Sequence, residues 1–238
     1  MRKTRLALVS VLAAVVVGLS ADPVAAQASA SAELINGLNN KLLWVAIPIT
    51  LLVEGILLYT VVKFKDNDDP SPTQENRRLE ITWTIATAVI LLFVGVASYG
   101  VLADQNVTYQ PQAEDASGDP VVVHAEAYQW GWEMSYPEAG NFTTGNEIVV
   151  PKDRPVQVQV TSRDVIHGFH APQLGLKQDA LPEQTNTIRT VPYEEGTYQG
   201  YCSEYCGVSH SQMYFTIEVV SEEEYRTWLD EQQASAEE

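Results

Sequence analysis

The chain has 238 residues, with 14 Lys and Arg against 31 Asp and Glu, a formal charge of −17 and 45% apolar residues. That acidity excludes a nucleic-acid partner, because a phosphate backbone is met by basic patches. It leaves open a cationic partner, a high-salt environment or a charged surface that serves solubility alone. Met1-Arg2-Lys3-Thr4-Arg5 is basic, Leu6 to Leu19 is apolar, and Pro23-Val24-Ala25-Ala26-Gln27-Ala28 is rich in small residues. This order predicts a secretory signal over residues 1–28, cleaved after Ala26 or Ala28. The apolar run falls short of the ~20 residues that a membrane span needs.

Leu42 to Val62 is apolar apart from Thr50, Glu54, Tyr59 and Thr60, and Ile81 to Leu102 is a second run with Trp83 and Tyr99 near its ends. Two spans, about 42–62 and 81–102, make a transmembrane hairpin of residues 29–104. The connecting loop, 63–80, carries Lys63, Lys65, Arg77 and Arg78, four of the fourteen basic residues. The positive-inside rule puts this loop in the cytoplasm and both mature termini on the outer face. Glu54 falls in mid-span, where an ionisable group is costly. It either meets a polar group of a partner or sits protonated against a neighbouring helix. Glu80, beside Arg77 and Arg78 at the cytoplasmic mouth, reads as an arginine-paired interface residue or as a collector of protons for a path in a partner.

Beyond Asp104 the apolar runs shorten. Val121-Val122-Val123, residues 147–151, 156–160, 187–191 and 215–220 read as strands, separated by Gly, Pro and Asn. The fold class is therefore a cleaved signal, a two-helix hairpin and an all-β sandwich or Greek-key barrel over 105–221. The tail, 222–238, is acidic with some helical pattern around Tyr225 and Trp228, and reads as surface or frayed.

The only two cysteines stand in Cys202-Ser203-Glu204-Tyr205-Cys206-Gly207-Val208-Ser209-His210-Ser211-Gln212-Met213. Upstream, Asp164-Val165-Ile166-His167 follows a strand, on a loop that can converge with the cysteine loop at one end of a sandwich. These are soft and borderline donors of the kind copper prefers. Two thiolates can bridge two copper ions, with His167 and His210 as imidazole ligands. Met213 and the Glu204 backbone carbonyl supply weak axial donors. Exported thiols would oxidise to a disulfide unless metal held them, and a disulfide leaves the histidines and Met213 without a shared purpose. A Cys2His2 zinc site is possible on donors alone but does not need Met213. A single blue copper leaves one cysteine unexplained.

Cys202-x-Glu204-x-Cys206-x3-His210-x2-Met213, with His167 35 residues before the first cysteine, resembles the dinuclear CuA site of haem–copper oxidase subunit II. The resemblance extends to the hairpin, to Leu79-Glu80-Ile81-Thr82-Trp83-Thr84, to Gln129-Trp130-Gly131-Trp132 and to residues 174–182. It implies a cupredoxin-like outer domain in which Cys202 and Cys206 bridge two coppers completed by His167, His210, Met213 and the Glu204 carbonyl. It also implies a magnesium ion at the Glu204 side chain, shared with subunit I. Trp130 would be the point where electrons enter, and Glu80 the mouth of a proton path.

The implied partners are the haem-bearing subunit I, subunit III and a soluble donor, a cytochrome c or a small blue copper protein, at the outer face of the cell membrane. Electrons would pass to haem in subunit I, where oxygen is reduced to water; the chain itself holds no oxygen-reducing centre. A membrane-tethered copper carrier is the alternative, but Glu204 and Glu80 make sense only against a catalytic subunit. The chain departs from the family in three places. Gly131 stands where an aromatic is usual, which weakens the role of Trp130, and Trp130 and Trp132 then read also as core aromatics. His170 replaces another aromatic and reads as a neighbour of the site rather than a ligand. A proline common in the second span is missing from Ile85-Ala86-Thr87-Ala88.

Overall fold

The computed structural model describes residues 28–110, 119–140 and 142–236; the expected signal, apart from Ala28, lies outside the described residues. Helix α1 (Ala30–Phe64) and helix α2 (Arg77–Leu102) form the hairpin. Each is capped by a polar side chain that accepts a first-turn amide: Ser29 from Ala32, and Asn76 from Leu79. At 35 residues, α1 is about 52 Å long, well beyond a ~30 Å hydrocarbon layer. It starts at Ala30, ahead of the Leu42 expected for the span, so its first turns stand clear of the apolar segment. Leu52, Leu57, Val61, Leu91 and Leu92 remain exposed, as on a surface meant for lipid or a partner. Glu54 is exposed as well, so neither helix of this chain shields it.

Among the described residues ten strands follow, in two five-stranded sheets. The first sheet, in the order β3-β2-β1-β5-β8, is built from β1 (Val121–Tyr128), β2 (Gly131–Tyr136), β3 (Phe142–Thr144), β5 (Val156–Ser162) and β8 (Asn186–Thr190). The second, in the order β4-β10-β9-β6-β7, takes β4 (Glu147–Pro151), β6 (His167–Ala171), β7 (Leu176–Ala180), β9 (Gly196–Cys202) and β10 (Tyr214–Val220). Strands β1 and β5 pair in parallel, as do β4 and β10, and the other pairs are antiparallel. Alternation decides the inner faces: Val121, Val123, Ala125 and Ala127 of β1 point inward, and so do Phe215, Ile217 and Val219 of β10. The result is a cupredoxin-like sandwich.

The acidic tail departs from expectation. Residues Glu222–Ala236 form a helix, α3, that docks on the sandwich instead of fraying. Tyr225 is buried, and the Trp228 ring meets Tyr136 at 5.1 Å and Phe142 at 5.4 Å between centroids. Residues three apart share a helix face, so the two aromatics that mark the helical pattern in the sequence form the apolar stripe that docks.

One turn has an unfavourable residue. Leu181-Pro182-Glu183-Gln184 closes with Gln184 N–H donating to the Leu181 carbonyl, and Glu183 stands at φ 61°. Proline before a left-handed residue is the pattern of a type II turn, whose third position favours glycine. Replacing Glu183 with Gly is expected to stabilise the chain by about 0.5–1 kcal/mol, the Cβ penalty less the flexibility gained in the unfolded state. Thermal melting of the full chain in detergent checks this, and an unchanged or lower midpoint would refute it.

Candidate metal centre

Three strands of the second sheet converge on one end of the sandwich. Cys202 closes β9 and lies opposite Phe169 of β6, while β10 begins just after Met213. The Cys202 amide donates to the Met213 carbonyl at 2.9 Å, which pinches the ligand loop shut at its base. The Ser203 amide donates to the Gly168 carbonyl at 2.9 Å and ties the loop to β6. Position 168 needs glycine: a Cβ there would lie 2.3 Å from Ser203 Oγ and 3.1 Å from the Glu204 nitrogen. A 3-10 turn, His210–Gln212, then swings His210 back toward the thiols.

The donors meet as the sequence predicts. Cys202 Sγ and Cys206 Sγ are 3.9 Å apart, His167 Nδ1 lies 3.8 Å from Cys202 Sγ, and His210 Nδ1 lies 3.7 Å from Cys206 Sγ. Met213 Sδ is 3.4 Å from Cys206 Sγ, and the Glu204 carbonyl is 3.2 Å from Cys202 Sγ. The cysteines are free, and their separation far exceeds the ~2.05 Å of a disulfide. His167, Cys202 and Cys206 are buried with their ligand atoms within 4.8 Å of one another. The donor set therefore fits copper. His167, however, is not on a loop: it opens β6, and register with Ala180 of β7 fixes its backbone.

A residue to which the sequence assigned no role controls His167. Asp164 Oδ1 accepts from His167 Nε2 at 2.9 Å, which leaves Nδ1 facing the sulfurs. The amides of Val165 and Gln129 donate to the same carboxylate at 2.6 Å and 2.7 Å. Burial raises the Asp164 carboxyl, but these bonds outweigh it and the group is held low. Burial likewise opposes charge on His167, yet Cys202 and Asp164 together raise it. Burial would push the Cys202 thiol up, and hydrogen bonding with His167, the Gly168 and Glu204 backbone and His210 brings it down to about 6. Cys206 is pushed up to about 12, first by burial and then by the charge on Cys202. One thiol is thus ionised at neutral pH and ready for a metal ion.

Trp130 and Trp132 differ in their surroundings. Trp132 is buried, edge-on to His167 at 6.5 Å, to Phe169 at 5.6 Å and to Phe215 at 5.2 Å. Trp130 is 41% exposed and donates from Nε1 to the Cys206 carbonyl at 3.2 Å. Its ring lies against Gly207, where φ is +123° and a Cβ would come within 3.2 Å of the indole. Gln129 Nε2 donates to the same carbonyl at 2.7 Å. Beyond the thiols, the Glu204 carboxylate reaches Lys177 at 4.0 Å. His170 stands apart, with its ring 5.0 Å from that of Tyr201. Glu80 is exposed in the first turn of α2, about 33 Å of helix from Leu102, and no ion pair joins it to Arg77 or Arg78 among the described residues.

Two membrane-length helices and a cupredoxin-like sandwich that gathers two thiols, two imidazoles and a thioether define a membrane-anchored copper-binding protein. Two family models match the chain: "Cytochrome C oxidase subunit II, transmembrane domain" over residues 17–101 and "Cytochrome C oxidase subunit II, periplasmic domain" over 139–220. The chain belongs to the cytochrome c oxidase subunit II family, subunits of an oxidoreductase complex. Cytochrome c oxidase subunit 2 of Cereibacter sphaeroides is 34% identical over 251 residues, covering 89% of this chain and 78% of that one. Its counterpart in Yarrowia lipolytica is 34% identical over 213 residues, covering 78% and 85%. The crystal structure of the periplasmic domain of subunit II of the cytochrome oxidase of Bradyrhizobium japonicum matches with 32% identity and a TM-score of 0.48, covering 50% of this chain and 98% of that one.

The Asp164 contact can be tested in copper-stripped protein. Thiolate absorbance is expected to rise with a first midpoint near 6. Asp164→Asn should move that midpoint upward, because His167 loses the carboxylate that favours its protonated form. The same substitution should weaken copper binding by about 10–100-fold. An unchanged midpoint with unchanged affinity would show that Asp164 does not act through His167.

Proposed function

We propose that this chain is the electron-input subunit of a respiratory haem–copper oxidase and holds a dinuclear copper centre. Cys202, Cys206, His167, His210, Met213 and the Glu204 carbonyl would hold the copper ions. The observation that carries this reading is the convergence of both thiols, both imidazole Nδ1 atoms and the thioether, with neighbouring donors 3.4–3.9 Å apart. When bound, a copper pair sharing two thiolates supplies one-electron transfer with little change in geometry. The residues do the rest. Asp164 fixes the His167 ring, the Cys202–Met213 backbone bond holds the loop closed, and the buried aromatics beside His167 keep water away.

A soluble donor on the outer face, a cytochrome c or a small blue copper protein, docks over Trp130. The exposed indole and its hydrogen bond to the Cys206 carbonyl support that role, since they join the surface to a ligand residue in one step. Electrons leave for haem in subunit I, where oxygen is reduced to water. The Glu204 carboxylate, partly exposed beside Lys177, suits a magnesium ion shared with subunit I. Glu80 stands at the cytoplasmic mouth of a proton path into that subunit. The complex, including subunit III, lies in the cell membrane with the copper domain and both mature termini outside.

Electron paramagnetic resonance of the copper-loaded full chain is expected to show hyperfine splitting from two equivalent coppers sharing one unpaired electron. Cys202→Ser or Cys206→Ser should each abolish that pattern. Splitting from a single copper in the unaltered chain would overturn the dinuclear assignment.

For Glu80→Gln in the assembled oxidase, turnover should fall while the copper spectrum stays unchanged. Full turnover in that variant would remove Glu80 from the proton path.

A further inference from the structure

Gly131, beside Trp130, replaces the aromatic usual in the family, and another residue of this chain fills the place. The Tyr128 ring folds back over Gly131: a Cβ at 131 would lie 2.6 Å from the Tyr128 hydroxyl and 2.7 Å from the ring. The Arg163 guanidinium sits over the same ring, 5.2 Å from its centroid, and pairs with both Glu126 and Glu133. On the thiol loop, Tyr205 and Val208 are 81% and 85% exposed, so nothing of this chain covers them. The Tyr205 ring lies 5.8 Å from that of His210, and Val208 follows Gly207, against which the Trp130 indole packs. Tyr205, Val208, Trp130 and Tyr128 thus form an apolar and aromatic collar where the copper-site loop comes to the surface.

A chain with a formal charge of −17 could ring this spot with free carboxylates that hold a lysine-rich donor. It does not. Asp164 is engaged by the His167 ring and two amides, Glu126 and Glu133 by Arg163, and Glu204 by Lys177. Residues 129–131, 164–167 and 202–213 contain no Asp, Glu, Lys or Arg besides Asp164 and Glu204. Glu147, Asp179 and Glu183 make no ion pair among the described residues, but they stand on or beside β4 and β7, the edge strands of the second sheet. We infer that the electron donor docks on this collar through apolar contact, and that it is a small blue copper protein with an uncharged apolar face rather than a lysine-rich cytochrome c. The inference rests on the electron-input reading and narrows it. Lysines pressed against Tyr205, Val208 and Trp130 would lose water and find no carboxylate, which costs affinity. An apolar face loses nothing there, and its contact is not weakened by the salt that screens charge.

Stopped-flow reduction of the copper-loaded full chain in detergent tests this, with reduced azurin as the apolar-faced donor and a reduced lysine-rich cytochrome c as its rival. Azurin is expected to be the faster, with a rate that changes less than about twofold between about 0.1 M and about 1 M salt. Val208→Asp places a charge in the contact at a side chain the fold does not use, and should slow azurin about tenfold. A faster cytochrome c whose rate falls steeply with salt would overturn the inference, as would an azurin rate that Val208→Asp leaves untouched. Dithionite reads the copper centre with no protein docking step. A centre that dithionite cannot reduce overturns the electron-input reading itself, whereas one that dithionite reduces and azurin does not overturns the docking inference alone.

Discussion

The hydrogen bond between the Cys202 amide and the Met213 carbonyl is the constraint on which the metal centre depends. It makes the ligand run a closed loop, from Cys202 at the end of β9 to Met213 just before β10. A free loop of that length would lose a large conformational entropy on binding metal. Here that entropy is lost on folding, with the twenty-odd residues of sandwich core around Phe169 and Phe215 as the driving force. Tyr214 pairs with Tyr201, which leaves Cys202 and Met213 as the first residues past the ladder. Their side chains thus enter the site from fixed backbone, and only Cys206 and His210 rely on the loop itself.

His167 completes the set from the other side, and its placement shows how a rigid sheet supplies what a loop cannot. Its backbone is in register with β7, and its ring is turned by Asp164 and walled by Trp132. Asp164 in turn is held by the Gln129 amide, next to Trp130. The exposed indole, the orienting carboxylate and the buried imidazole are therefore linked through neighbouring residues of one turn. A change at that turn would reach the site by two routes: through the Cys206 carbonyl, which Trp130 and Gln129 both bind, and through the His167 ring.

Much of this was legible in the sequence, and the exceptions have physical reasons. Strands β1, β4, β5 and β10 announce themselves through valine-rich or alternating runs. Strands β6 and β7 do not: His167-Gly168-Phe169-His170-Ala171 buries three successive residues, and Leu176-Lys177-Gln178-Asp179-Ala180 is mostly polar, so neither shows a period. The early turns of α1 pass through Ser31, Asn36, Asn39 and Asn40, which break the apolar continuity that marks a span. Docking of α3 depends on Tyr136 and Phe142, far away in sequence, and no local pattern reveals a tertiary partner. The candidate metal donors stood out in the sequence because five of the six lie in one loop and their chemistry is unusual. Asp164 was overlooked because a carboxylate acting on a ring, rather than on a metal, carries no spacing signature.

Glu204 shows why a subunit of this kind cannot be understood from its metal site alone. Its carbonyl faces Cys202 and its carboxylate faces outward to Lys177, so one residue belongs both to the ligand loop and to the protein surface. Because the two cysteines pin the backbone on either side, whatever binds the carboxylate is held at a fixed distance from the thiols. The β-bridge between Ser29 and Pro192 works in the same sense from the membrane side. It ties α1 to the strand end at Val191 and, through Ser31, to the linker after α2. The sandwich is thereby set at a definite orientation on the hairpin. For the proposed electron-input role orientation matters, because electron transfer falls steeply with distance. Attachment through Ser29 and a fixed carboxylate at Glu204 then serve one requirement of the proposed role: that the thiols sit at a set place relative to a partner in the membrane.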